Sequence, residues 1–351
     1  MSKKNSFKLS CPLPLFDYKN ILLGHGGGGK QSADLTKKLF ISQFDNPLLN
    51  MLNDSAVFEI NGTRLAFTTD SYVVNPIFFP GGNIGNLAVN GTINDLAVSG
   101  AKPLYISAGF ILEEGFEIDK LWVIVQSMKM ACDEAGVLLV TGDTKVVDRG
   151  KADKVFINTS GVGVIEKDII VSSDRARPGD KVILSGSIGV HGIAIMSARE
   201  GLDFETKSIS DTSPLNSLIS DMLNVTTKIN CMRDPTRGGV ASTLNEIASS
   251  SKVGIRIEEK KIPINPEVRG ACEMLGLDPL YVANEGKLIA VVDSEVADQV
   301  VECMRNNPLG REAVIIGEII SEHPGILFMK TKIGGTRVVD TLIGEQLPRI
   351  C

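Results

Sequence analysis

The sequence predicts a two-domain α+β protein that ends in a flexible tail. Three observations carry that prediction. The chain of 351 residues is long enough for two domains of ordinary size. Strand-type and helix-type segments alternate in both halves, as they do where sheet layers pack on helix layers. Between the halves lies a polar stretch, EKDIIVSSDRARPGD from Glu166 to Asp180, whose Pro and Gly mark a passage between domains.

In the first half, Ala56 to Ile60 and Arg64 to Thr69 read as a strand pair around the turn Asn61-Gly62. Gly85 to Ser99 is expected to be a helix, because Leu87, Val89, Ile93, Leu96 and Ala97 recur near helical spacing. Leu104 to Leu112 follows as a strand. Ile118 to Ala135 is a long helix closed by Gly136. Val137 to Thr141 and Lys154 to Ile165 are strands. The second half restarts with a strand at Lys181 to Leu184 and helices near Gly192 to Arg199 and Leu215 to Leu223. Helices are also expected at Gly239 to Ser249, Pro266 to Leu275 and Glu295 to Arg305, and strands at Gly254 to Ile257, Leu288 to Val292, Val314 to Ile320 and Ile326 to Met329. Each half is expected to place its sheet on one side and its helices on the other. The division that results is an extension with a Gly-rich flap at 1–50, one domain at 51–166, a second at 180–335, and a tail at 336–351 that carries Cys351. Extended at ~3.3 Å per residue, that tail reaches about 50 Å.

Composition narrows the functional classes. A net charge of −6 without a block of Lys or Arg argues against a nucleic-acid partner. No apolar run approaches the length of a membrane span, and MSKKNSFKLSCPLPLF lacks the apolar core of a signal peptide, so a cytoplasmic location is expected. The six cysteines form no C-x-x-C pair, and the three histidines have no partner at ligand spacing. Any metal must therefore be held by oxygen.

The stretch LLGHGGGGKQS fits the G-x-x-x-x-G-K frame of a P-loop at Gly24 and Gly29-Lys30, but Gln31 stands where Mg²⁺ binding needs a hydroxyl. The segment before it offers only a strand stub, so it reads as a mobile Gly-rich loop. Four stretches place an acid where a strand ends or a helix begins: LNDSAVF (Asp54), AFTTDSYV (Asp70), GTINDLAVSGA (Asp95) and CMRDPTRGGV (Asp234). Dispersed acids of this kind suit a Mg–nucleotide site without a P-loop. In DPTRGG, Thr236 can cap the next helix, Gly238 and Gly239 leave N–H groups for an anion, and Arg237 adds positive charge. In VTGDTKVV, Asp143 and Lys145 lie two apart and share one face of a strand, where Lys145 either meets a phosphate, polarises a carbonyl or pairs with Asp143. In YVANEGKLIAVV, Glu285 sits in a turn before a buried strand, a suitable place for a general base.

Taken in order, HGGGGK, TTDSYVVNPIFFPGGNIGNLAVNGTINDLAVSGA, VTGDTKVV, MRDPTRGGVASTLNEIA, NEGK and the terminal PRIC resemble the ATP-binding superfamily that includes aminoimidazole ribonucleotide synthetase, selenophosphate synthetase and thiamine-monophosphate kinase. Within it the match is closest to the hydrogenase maturation factors of the HypE family. The resemblance implies an N-terminal ATP-binding domain that dimerises through its sheet, with ATP near the dimer interface and a second domain behind it. It implies that Asp54, Asp70, Asp95 and Asp234 hold Mg–ATP. Lys30, Asn94, Thr144, Thr236, Arg237 and Gly238 fall to ATP and its phosphates, and the Gly-rich loop becomes a flap. Cys351, Glu285, Lys145 and Asp143 are the implied catalytic set.

The implied activity is ATP-dependent dehydration of a carbamoyl group on Cys351 to a thiocyanate, which supplies the cyanide ligands of [NiFe]-hydrogenase iron. A HypF-like carbamoyltransferase is the implied donor, a HypC–HypD-like scaffold the acceptor, and a homodimer the assembly. The α-carboxylate of Cys351 itself raises the thiol pKa, so Arg349, Lys145 or bound Mg²⁺ is expected to offset it. The competing readings are a small-molecule kinase or synthetase of the same superfamily and a non-catalytic carbamoyl carrier. The Gly-rich loop lacks the reactive Cys of a selenophosphate synthetase, and Cys11 lies too far upstream.

Overall fold

A computed structural model describes residues 18–200 and 208–342; Cys11, Arg349 and Cys351 lie outside them. The described chain opens with a short 3-10 turn at Leu23–Gly26. The helix α1 (Lys30–Leu35) follows, then a π-helical stretch at Thr36–Ile41 and α2 (Ser42–Phe44). The first domain then runs β1 (Ala56–Ile60), β2 (Thr63–Tyr72), β3 (Phe78–Phe79), β4 (Gly82–Asn83), α3 (Ile84–Val98), β5 (Lys102–Glu113), α4 (Ile118–Ala135), β6 (Leu138–Val147) and β7 (Val155–Val164). Five strands form one sheet in the order β1-β2-β7-β5-β6, and β5–β6 is its parallel pair. The turn Asn61-Gly62 joins β1 to β2 as expected, with both residues at positive φ.

Apolar side chains of α3 and α4 (Leu87, Ile93, Ile124 and Met128 among them) cover one face of this sheet. The other face is open. Phe67, Val162, Tyr105 and Leu138 are successive cross-strand partners on β2, β7, β5 and β6, so they form one row on one face. Phe67 is 43 % exposed, Tyr105 48 % and Leu138 64 %. An apolar row this exposed across four strands is the mark of an interaction surface.

The second domain comprises β8 (Lys181–Leu184), α5 (Val190–Glu200), α6 (Asn216–Val225), β9 (Ile229–Arg233), α7 (Gly239–Ser251), β10 (Gly254–Glu258), α8 (Pro266–Leu275), β11 (Ile289–Val292), α9 (Ala297–Asn306), β12 (Val314–Ile320), β13 (Leu327–Lys330) and β14 (Thr336–Val338). Its seven strands are ordered β14-β13-β10-β12-β8-β11-β9.

The expectation of helices on one side only holds for the first sheet and fails for the second. Ile183, Ala290 and Val292 pack with α6 and α9, while Val182, Leu184, Ile289 and Val291 pack with α7 on the opposite face. The continuous apolar runs of β8 and β11 reflect this double burial, because a strand buried on both faces shows no alternation. β9 and β14 were not expected. β14 takes the start of the segment assigned to the tail into the sheet, where Phe328, Met329 and Lys330 pair with Val338, Arg337 and Thr336. The two domains share a core: Leu96, Ala97 and Val98 at the end of α3 pack with Leu218, Ile219 and Met222 of α6.

Candidate active site

Asp54, Asp95 and Asp234 each offer a carboxylate oxygen, and these atoms lie within 4.8 Å of one another. Three elements deliver them. Asp54 lies two residues before β1, Asp95 lies in the last turn of α3, and Asp234 follows β9. Asp95 therefore sits at a helix end rather than at the helix start the sequence suggested, where the macrodipole disfavours a carboxylate. Its Oδ2 accepts a hydrogen bond from the Thr68 hydroxyl at 2.8 Å, and the same hydroxyl reaches the Asp54 carbonyl at 2.8 Å.

Burial and mutual repulsion act together on this trio. Loss of water raises the Asp54 carboxyl from 3.8 to about 6 and Asp234 from 3.8 to about 7. Burial, and then the charges of Asp234 and Asp54, hold Asp95 well above the ordinary carboxylate range. Three crowded acids make a site that wants a cation. Hard oxygen donors in this number fit Mg²⁺.

One cation is already built in. Arg233 is largely buried, its Nε 2.8 Å from Asp54 Oδ2 and its Nη2 2.8 Å from Glu246 Oε2, and its Nη1 donates to the Ser173 hydroxyl at 3.0 Å. Sequence reading passed over Arg233. Its only signal was adjacency to Asp234 at the end of an unrecognised strand.

Asp70 lies inside β2, not at its end, and its Oδ1 is 3.9 Å from Arg237 Nη2. Arg237 also donates to the Gly26 carbonyl at 3.3 Å, which seats the Gly-rich loop over the acids. The described residues begin at 18, so most of the segment ahead of this loop lies outside them. The loop is not simply free. Gly28 has φ +73° and a Cβ there would stand 2.8 Å from the Arg237 carbonyl; one on Gly29 would stand 2.6 Å from the Leu342 carbonyl. Glycine is needed here for close approach, not only for freedom. The Lys30 backbone N–H donates to that Leu342 carbonyl at 2.9 Å, while the Lys30 residue is exposed. A cavity of about 310 Å³ beneath the loop is lined by Gly28, Gly29, Arg233, Glu246 and Thr341, so the segment leading into the tail adjoins the acid site.

Thr236 does not cap α7. The residue at that position is Gly238, and no side chain caps the helix. The Gly239 N–H is bonded to the Thr236 carbonyl at 2.9 Å, which removes it from the anion-binding set. Asn94 is also spent: it is buried, its amide donates to the carbonyls of Ser213 and Glu285, and its oxygen accepts from the Leu215 N–H at 2.7 Å. It holds the Glu285 loop in place.

Glu285 is 3 % exposed, and its Oε1 accepts no hydrogen bond among the described residues. Burial, followed by the negative charges of Asp234, Asp211 and Asp70, lifts its carboxyl well above the usual range. It thus belongs to the same electrostatic neighbourhood as the acid trio. Asp143, Thr144 and Lys145 do not. Asp143 sits on β6 in a row with Ser71, Asn158 and Gly109, three strands from β2 and about 14 Å away at sheet spacing. That row shares the open face with Phe67 and Tyr105, whereas Asp70 points to the opposite face. In one chain Lys145 pairs with Asp143, at 2.7 Å, and both are exposed.

Comparison with known proteins matches this architecture. The family model described as AIR synthase related protein, N-terminal domain, matches residues 52–165, and its C-terminal counterpart matches residues 177–330. The carbamoyl dehydratase HypE of Cupriavidus necator is 55 % identical over 330 residues, 94 % of either chain. A crystal structure of a HypE–HypF complex superposes with a TM-score of 0.84 at 47 % identity, covering 88 % of this chain and 99 % of that one. A structure of the hydrogenase maturation protein HypE with ATP gives 0.80 at 49 % identity, covering 95 % and 100 %. The chain belongs to the carbamoyl dehydratase HypE family of the AIR synthase related proteins.

Proposed function

We propose that the chain uses ATP to dehydrate a carbamoyl group carried on Cys351, giving a thiocyanate as the cyanide source for hydrogenase iron. The observation that carries this reading is the convergence of Asp54, Asp95 and Asp234 in the same electrostatic neighbourhood as the buried Glu285, whose Oε1 accepts no hydrogen bond among the described residues. The naming of relatives at this identity as carbamoyl dehydratases supports it.

The chemistry balances without a further reagent. The carbamoyl oxygen attacks the γ-phosphorus of ATP and ADP leaves. The C–O bond then breaks, phosphate carries the oxygen away, and the nitrogen gives up both its protons to leave S–C≡N. Asp54, Asp95 and Asp234 would hold Mg²⁺, which supplies charge neutralisation for the triphosphate. Arg237 and the Gly-rich loop cover the phosphates and exclude water from an intermediate that water would hydrolyse. Glu285, whose carboxyl burial raises well above the usual range, is the group that accepts protons from nitrogen.

Lys145 enters from a second copy of the chain. The apolar row Phe67–Val162–Tyr105–Leu138 shares its face with Asp143 and Lys145, so dimerisation there buries the row and carries Lys145 to the interface. The likeness to a HypE–HypF complex supports a HypF-type carbamoyltransferase as donor. The HypC–HypD-type acceptor and the cytoplasmic location rest on the family resemblance. In the same reading 51–166 is the nucleotide and dimer domain, 180–335 the supporting domain, and 336–351 the carrier arm.

Intact mass tests the reading. Incubation with the carbamoyltransferase, carbamoyl phosphate and ATP gives an adduct that loses one water in the native chain. In Glu285→Gln the adduct forms and persists; in Cys351→Ala none forms. An adduct that ATP never dehydrates in the native chain reduces the protein to a carrier.

A further inference from the structure

The side chain of Glu285 has no hydrogen bond on Oε1, so something else must fix where it stands. The answer lies in a strap of chain from Ser210 to Ser213 that runs between the two domains. On one side the strap is tied to the first domain. The Ser210 N–H donates to the Pro80 carbonyl at 2.8 Å, Asn90 Nδ2 reaches the Thr212 hydroxyl at 3.2 Å, and Asn94 Nδ2 reaches the Ser213 carbonyl at 3.1 Å. On the other side Asp211 grips the catalytic loop. Its Oδ1 accepts the backbone N–H of Glu285 at 3.2 Å, and its Oδ2 lies 3.3 Å from Lys287 Nζ. Both partners of that ion pair are largely buried, at 6 % exposure for Asp211 and 16 % for Lys287. Between them Gly286 lies so close that a Cβ would stand 1.9 Å from the Asp211 carbonyl.

The geometry points to Asp211 and Lys287 as positioning residues for Glu285. Asp211 holds the Glu285 backbone through one carboxylate oxygen and Lys287 through the other. The loop is thereby clamped on both sides of the catalytic residue, and the Glu285 side chain is left to its substrate. Because the strap is anchored on Pro80, Asn90 and Asn94, the clamp also fixes Glu285 relative to the domain that supplies Asp54 and Asp95. A buried acid–base pair is costly to keep unless its geometry is needed, since a hydrophobic pair of similar volume serves stability as well. The inference rests on the reading of Glu285 as proton acceptor, and neither Asp211 nor Lys287 touches the reacting group.

Full-length Asp211→Ala, Asp211→Asn and Lys287→Gln, each checked for native melting, test it with two readouts. The first is hydrogen–deuterium exchange of the peptide spanning 283–288, which needs no activity. The second is the single-turnover rate of water loss from the carbamoylated chain, measured beside ATP affinity. Asp211→Ala is expected to lose protection at the Glu285 amide. Misplacing a catalytic group by about 1 Å lowers the rate about 10²-fold, with ATP affinity and carbamoyl acceptance unchanged. Asp211→Asn keeps an acceptor oxygen and should restore both protection and most of the rate, and Lys287→Gln should fall between. Unchanged amide protection in Asp211→Ala overturns the proposal, and so does an Asp211→Asn variant as impaired as Asp211→Ala. If the native chain itself never loses water, the reading of Glu285 falls instead, while the exchange data still decide whether Asp211 holds the loop.

Discussion

Replacing Asp234 with Asn should make the cation-free protein more stable at pH 8, although it removes a member of the acid site. Asp234 shares a space of 4.8 Å with Asp54 and Asp95, and burial with the Asp54 charge raises its carboxyl from 3.8 to about 7. A carboxyl whose folded pKa lies above its unfolded value stabilises the fold fully below about pH 4. That contribution is lost as pH rises through about 7. The rise from 3.8 to about 7 corresponds to about 4 kcal/mol at high pH. Arg233 and the linked titration of Asp54 absorb part of it, which leaves a gain on the order of 2 kcal/mol for the neutral amide. At about 2 °C per kcal/mol for a chain of this size, Tm rises by about 4 °C. The Asp234 backbone carbonyl keeps its bond from the Thr236 N–H at 2.9 Å, so the turn survives the change. Thermal melts of both proteins from pH 4.5 to 8.5, with EDTA and then with Mg²⁺, measure the effect. The gap should open between about pH 4 and 7 in EDTA and stay level above that, and Mg²⁺ should raise the native Tm far more than the variant's. A variant less stable than native at pH 8, or an equal response to Mg²⁺, refutes the argument.

Four further outcomes follow from the geometry. Arg233→Met leaves the Asp54 charge buried without its partner and should cost about 3–5 kcal/mol in urea unfolding, with part of that loss recovered by Mg²⁺. Gly29→Ala forces a Cβ against the Leu342 carbonyl at 2.6 Å, which should detach the residues leading into the tail and speed proteolysis after residue 342 with little change in Tm. Leu138→Glu places a charge in the exposed apolar row and should yield monomers in sedimentation velocity. If the site is shared between copies, mixing inactive Lys145→Ala and Glu285→Gln chains restores about a quarter of native activity, since half the dimers carry one complete site. No recovery on mixing assigns both residues to the same chain.

Local pattern alone determined a good part of this protein. The helix over Ile118–Ala135 and its stop at Gly136 follow from apolar spacing and a left-handed glycine at φ +70°. The strand pair around Asn61-Gly62 follows from turn chemistry. Asp54, Asp95, Asp234 and Glu285 stood out because acids next to apolar elements are conspicuous in a sequence. Tertiary structure decided what those residues do. Asn94 looked like a phosphate ligand, yet its partners, Ser213 and Glu285, lie 119 and 191 positions away. Asp211 carried no local signal and Arg233 only its adjacency to Asp234, because each matters through a neighbour from another element. Asp143 and Lys145 share a motif with the site in sequence, but strand order sets them across the sheet on its open face. Periodicity records which face of an element is buried; which distant residues then meet is fixed only when the elements pack.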